Sequence, residues 1–196
     1  MGTMTQHYRK SVAVQQLDAN HAALIADHFK TLADDDLRLR FGMPMRAEQI
    51  DRYVASINFE RDVVFGVYAD DLTLVAVAHL ACWPGAGELG LSVLPGHRGS
   101  GIGTALFDRA VMRARNAHIV ELFMHCLAQN DAIMHIARKA GMRVVHDHSE
   151  VDAFLELEPG NPLTLGQEAF AQQYALFEWA RKACQLWPRA AFRPAA

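Results

Sequence analysis

The chain is poor in cysteine and in surplus charge, and it has no long apolar run. Its three cysteines, Cys82, Cys126 and Cys184, lie far apart and are odd in number. That excludes a disulfide framework or a paired zinc motif and reads as buried thiols in a reducing cytoplasm. The net charge is only −3, with no basic run and no interleaving of aromatic with basic residues. Nucleic acid is therefore not an expected partner. No apolar stretch reaches the length of a membrane-spanning helix, and Met1 to Lys10 is polar rather than signal-like, so no membrane partner is expected either. What remains is 51% hydrophobic against 21% charged over 196 residues. That is the balance of a soluble domain with a substantial core.

One run organises the chain: Leu89-Gly90-Leu91-Ser92-Val93-Leu94-Pro95-Gly96-His97-Arg98-Gly99-Ser100-Gly101-Ile102-Gly103-Thr104. Its first half is apolar enough for a strand, which Pro95-Gly96 stops. Gly99, Gly101 and Gly103 then open a long helix. Glycine lets backbone N–H groups approach a ligand without a Cβ between them. A helix N-terminus adds unpaired N–H groups and partial positive charge. The unit is an anion cradle, suited to phosphate or pyrophosphate. It lacks the Gly-Lys-Ser/Thr of a nucleotide-triphosphate loop. It also fails G-x-G-x-x-G, since the sixth position is Thr104 counted from Gly99 and Leu106 counted from Gly101.

Arg98-Gly99-Ser100-Gly101-Ile102-Gly103 matches Q/R-x-x-G-x-G/A. An apolar strand, Ile119 to Leu127, follows the helix. Then comes Asn130-Asp131-Ala132-Ile133-Met134-His135-Ile136-Ala137-Arg138-Lys139-Ala140-Gly141-Met142. In this order the motifs resemble the GNAT N-acetyltransferase superfamily over Glu88 to Val145 and, more loosely, Val12 to Glu158. The closest likeness is to the GNAT domain of bacterial protein-lysine acetyltransferases, through Leu37-Arg38-Leu39-Arg40-Phe41-Gly42 and Glu88. The resemblance implies an α/β (α+β) GNAT fold: a mixed, mostly antiparallel sheet flanked by helices. Residues 1–162 would form the acetyltransferase domain and 163–196 a C-terminal helical extension.

The element order expected is βααβββαβαββ with a final helix. Val12 to Leu17 is the first strand. A helix capped by Asp18 or Asn20 follows, with Ala23, Leu24, His28 and Leu32 on one side, and Asp34-Asp35-Asp36 ends it. Ala47 to Ile57 is the second helix. Val63 to Ala69 and Thr73 to Trp83 form a hairpin. Trp83 to Gly87 is a loop, and Glu88 opens the fourth strand. Ile119 to Leu127 reads as a strand covered on both faces. Met142 to Glu150 and Asp152 to Glu158 close the sheet. Thr164 to Leu186 is a helix whose aromatics, Trp187 among them, serve either core completion or a homodimer contact.

The resemblance assigns the chemistry. Acetyl-CoA is the cosubstrate. Backbone groups of Arg98, Gly99, Ser100, Gly101, Ile102 and Gly103 hold its pyrophosphate, and the Arg98 side chain is free to pair a phosphate. Leu91, Ser92 and Val93 line the pantetheine arm by β-augmentation. Asn130 contacts the arm and reads equally as a helix N-cap. Glu88 is the candidate general base, since an amine of pKa ~10.4 must lose a proton before it attacks. The tyrosine that many members place seven residues after the Asn is Ala137 here; Ser92, His125 and His79 are weak substitutes for that acid. Asp34-Asp35-Asp36 reads as a solvated helix end or as an attractor for a cationic amine. His146-Asp147-His148 places two imidazoles on one strand face, but without a third ligand no metal is assigned. The function expected is acetyl transfer to a primary amine, a protein lysine or a small amine. The alternative is a non-catalytic acyl-CoA-binding regulatory module.

Overall fold

A computed structural model of the chain describes residues 11–191, with side chains through 186. The polar segment Met1 to Lys10 and the Trp187 side chain lie outside the described residues. The centre is a seven-stranded sheet in the order β1-β2-β3-β4-β5-β7-β6. Its strands are β1 (Gln15–Leu17), β2 (Val63–Tyr68), β3 (Leu74–Trp83), β4 (Ala86–Val93), β5 (Glu121–Leu127), β6 (Arg143–Asp147) and β7 (Glu150–Glu156). Every adjacent pair is antiparallel except β4 with β5.

Three helices, not two, connect β1 to β2: α1 (Ala22–Thr31), α2 (Asp34–Phe41) and α3 (Ala47–Ala55). The Asp34-Asp35-Asp36 run starts α2 instead of ending α1. Carboxylates in a first turn are stabilised by the helix dipole, which is why an acidic run begins this helix. Gly42 closes α2 at φ 75°, a conformation glycine adopts without a Cβ penalty. Asp18 caps a short 3-10 turn, Ala19–His21, ahead of α1. The buried face of α1 is Ile25, Ala26, His28 and Phe29, while the predicted Leu24 is exposed.

Two apolar cores lie on opposite faces of the sheet. One joins Ile25, Phe29, Leu37, Ile50 and Val54 of α1–α3 to Val64 and Val77. The other joins Leu106, Phe107, Ala110 and Ala114 of α4 (Ile102–Asn116) to Phe65, Leu80, Leu89 and Met124. It also takes in Ile133, Ile136 and Ala137 of α5 (Asp131–Lys139). α6 (Pro162–Ala191) lies along α4. Glu168 of α6 pairs with the buried Arg109 at 3.2 Å, and Asn116 donates to Glu168 Oε2 at 2.6 Å. Leu163, Phe170 and Phe177 of α6 are exposed.

Of the helices α1–α3, α2 reaches β5, at its C-terminal end. Up to His125, β5 is covered on one face: Leu122, Met124 and Cys126 are buried, while Glu121, Phe123 and His125 face outward, and only Leu127 at the end is buried on that side. On that open face Trp83, Phe123 and Phe154 form a row with 6.2 Å between successive ring centroids. The expectation of an interior strand fails because its aromatics are served by this row, not by a helix. Two smaller corrections follow. Cys184 is exposed, so only Cys126 is a fully buried thiol. His148 lies beyond β6 in a turn at φ 53°, so it does not share a strand face with His146.

Candidate active site

β4 and β5 pair over three rungs only: Ala86 with Glu121, Gly87 with Leu122, and Glu88 with Phe123. Beyond them β4 continues to Val93 still paired with β3, and β5 continues to Leu127 paired with β7. The two strands part at Glu88. From Leu89 to Val93 one edge of β4 therefore has no strand beside it. An extended chain can add to such an edge through main-chain hydrogen bonds alone.

The split opens into a cavity of about 410 Å³. Leu91, Ser92, Val93, Arg98, Gly99, Gly101, Ile102, Gly103 and Asn130 all line it. The cradle has left-handed backbone at Gly99 (φ 72°) and Gly101 (φ 87°), and a Cβ at either would meet open space. The glycines are thus needed for backbone conformation, and the space above the loop is clear for an anion. Gly101 is the N-cap of α4, so the helix dipole points at the same space. The chemistry of this donor set fits a pyrophosphate.

Two predicted residues fall outside that cavity. Ser100 turns its hydroxyl to the His97 carbonyl at 2.6 Å. Glu88 is the third residue of β4 rather than its first, because the β3–β4 turn is only Pro84-Gly85 and Trp83 already pairs with Ala86. It stands half-buried at the last rung before the split, on the face shared with Gly90 and Ser92. Among the described residues it has no hydrogen-bond or ion-pair partner.

α2 crosses the split and touches both sides. Asp36 accepts from Arg98 Nη2 at 2.9 Å, and Arg98 Nε donates to the Val93 carbonyl at 2.9 Å. On the other side the Asn130 side chain donates to Leu39 O at 3.2 Å. Asn130 Oδ1 accepts from Ile133 N at 3.2 Å, so the N-cap reading and the cavity position hold together. Of the acidic run, Asp34 and Asp35 are exposed and Asp36 belongs to the cavity wall.

A polar network lies under α1–α3 on the Glu88 face. His28, 2% exposed, places Nδ1 3.0 Å from Leu74 O and Nε2 2.8 Å from Ser92 Oγ. Burial holds its pKa down to about 4, against a smaller opposing effect of the Leu74 carbonyl and with help from the Arg40 charge. A neutral ring that donates from Nδ1 to a carbonyl must accept at Nε2, so the Ser92 hydroxyl donates to it. Tyr53 Oη lies 2.7 Å from His79 Nδ1, and His79 Nε2 lies 3.4 Å from Asp62. Burial and then the Arg40 charge hold His79 below its ordinary value. Burial alone would raise the Asp62 carboxyl; hydrogen bonds from Arg61 and the Cys82 N–H outweigh it and lower it.

Of this network sequence reasoning named only Ser92 and His79 as site candidates, because its members are scattered over α1, α3, β3, β4 and the approach to β2. Ala137 is wholly buried on α5 against the core, so that position presents no side chain to the cavity. Burial raises the Cys126 thiol, which leaves it un-ionised.

This strand–glycine turn–helix followed by an Asn-capped helix, across a split between two parallel strands, defines a GNAT fold. The model of the acetyltransferase (GNAT) family matches residues 27–142, and the chain belongs to that family. Among solved structures, the GNAT domain of S. lividans PAT is similar at TM-score 0.63 and 18% identity, covering 74% of this chain and 89% of that one. YncA of Salmonella typhimurium, a putative acetyltransferase solved with acetyl-CoA, has TM-score 0.60 and 15% identity over 78% and 97%. The ribosomal-protein-S18-alanine N-acetyltransferase of Escherichia coli has TM-score 0.58 and 14% identity over 76% and 96%. No curated protein sequence matches the chain. Among the described residues no helix is long and apolar enough to cross a membrane.

Proposed function

We propose that the chain is an acetyl-CoA-dependent N-acetyltransferase acting on a primary amine, either a protein lysine or a small amine. The observation that carries this is the shared cavity. The glycine cradle, the unpaired edge of β4 and Asn130 open on one space between β4 and β5. Acetyl-CoA supplies the activated acyl group, a thioester carbonyl.

Backbone N–H groups from Gly99 to Gly103 and the Arg98 side chain hold the pyrophosphate. Arg98 is paired with Asp36, so phosphate competes with that carboxylate for the guanidinium. Leu91 to Val93 offer main-chain donors and acceptors to the pantetheine arm. A main-chain N–H on this edge is the candidate to polarise the thioester carbonyl, as an oxyanion-hole donor does. Glu88, at the apex of the split and unpaired, takes the proton from the amine. The leaving thiolate needs no strong acid, since a thiol of pKa ~8.5 departs readily in ionised form.

Thiol release from acetyl-CoA in the presence of an amine panel tests this reading. Turnover is expected with at least one amine, and Glu88→Gln is expected to lower kcat by about 100-fold or more with acetyl-CoA affinity unchanged. Turnover unaffected by Glu88→Gln would remove the base from this account. Binding without turnover would favour the regulatory module.

A further inference from the structure

Two arginines line the cavity, Arg40 and Arg98, and only one of them has an anion. Arg98 has Asp36. Arg40, on α2, has no carboxylate within 4.0 Å among the described residues. Its guanidinium lies over Phe41 at 4.8 Å and beside Phe29 and Tyr53, each at 5.9 Å. Its Nη2 donates to Tyr53 Oη at 3.1 Å, while its Nε is buried with no acceptor. Burial holds the two histidines nearest in the network, His28 and His79, below the ordinary imidazole pKa.

A guanidinium in such a setting favours an anion. Aromatic faces stabilise the cation but accept no hydrogen bonds, and a buried donor without a partner is costly. A carboxylate answers both, because it matches the planar fork of arginine.

The place matters as much as the charge. Arg40 lines the same cavity as the cradle. Its guanidinium covers Gly90 so closely that a Cβ at Gly90 would collide with its Cζ. Glu88 stands two residues earlier on the same face of β4, about 7 Å away along the strand. The Glu88 carboxylate and the Arg40 guanidinium, which α2 lays over Gly90, thus stand on one face of β4 near the apex of the split.

We infer that the acceptor is a zwitterionic amine of the amino-acid class, its carboxylate taken by Arg40 and its amino group delivered to Glu88. This rests on the acetyl-transfer reading above and names its substrate class.

The test compares each standard amino acid with its own carboxamide, using the full chain, saturating acetyl-CoA and thiol release as readout. The wild type is expected to prefer at least one amino acid over its amide by about 10-fold or more in kcat/KM, the scale of one charge-assisted hydrogen bond. Arg40→Met is expected to erase that preference through KM, so that the acid-to-amide ratio of kcat/KM falls to about 1. Arg40→Lys, which keeps the charge but not the fork, is expected to retain part of it. Since Arg40 also packs on three rings, the wild-type acid-to-amide ratio decides the matter if Arg40→Met does not fold. Amides or carboxylate-free amines used as well as acids would overturn the inference. So would a gain with succinyl-CoA over acetyl-CoA that Arg40→Met abolishes, which would assign the guanidinium to the acyl chain. No turnover with any amine, despite acetyl-CoA binding, would overturn the acetyl-transfer reading and this inference with it.

Discussion

The two walls of the cavity are built by different means. The cradle wall, Arg98 to Gly103, is backbone: glycines in left-handed conformation and the start of α4. Its shape is set by neighbours in sequence. The opposite wall, with Leu32, Asp36, Leu39 and Arg40, is side chain, and Arg40 ties it to the Tyr53–His79 pair behind it. A backbone wall recognises what all its ligands share, a phosphate. A side-chain wall can be rebuilt position by position, so it is where one acceptor is told from another.

Breaking the backbone wall should have the largest effect. Gly101→Val forces a β-branched residue to φ 87°, at a cost of about 2–3 kcal/mol or a rearranged loop. Acetyl-CoA affinity is expected to fall by about 10- to 100-fold, measured by calorimetry. Ser100→Ala next to it should change affinity less than about twofold, because that hydroxyl is already satisfied by His97.

The buried histidine behind the side-chain wall, bonded to Ser92, should answer to pH instead. His28 has its pKa depressed to about 4 in the fold, against ~6.5 unfolded. Above about pH 6.5 both states are neutral and the effect is constant. As pH falls from there toward about 4, the unfolded chain takes up the proton first, so stability drops, by no more than about 3 kcal/mol in all. Urea unfolding across that window should show this slope, and His28→Gln should flatten it.

The smallest effect joins the two walls. Asp36 of α2 holds Arg98, and half-exposed pairs of this kind contribute about 0–1 kcal/mol. Asp36→Asn frees the guanidinium for phosphate and should tighten acetyl-CoA binding by up to about fivefold. Weaker binding would instead make α2 a support of the cradle.

The same contrast decides what could be read from sequence. Gly99, Gly101, Gly103 and the Asn130 cap were legible because local backbone rules fix them. So were the hairpin of β2 with β3 and the closing pair of β6 with β7. The Asp34-Asp35-Asp36 run was misread because a carboxylate cluster suits either a helix start or a solvated end, and only the packing of Leu37 under α1 and α3 selects the first. Glu88 was placed two residues too near the start of β4, since the two-residue Pro84-Gly85 turn lets that strand begin at Ala86. Arg40 was legible only as one residue of the Leu37-to-Gly42 segment, with no role of its own. Its role depends on lacking a partner, and partners are a property of the folded chain.

The most direct test is a calorimetric titration of acetyl-CoA into the full chain, with ATP and NAD as controls. The split between β4 and β5 predicts micromolar, CoA-selective binding that Gly101→Val weakens. No binding, or equal binding of ATP, would contradict the assignment of this cavity.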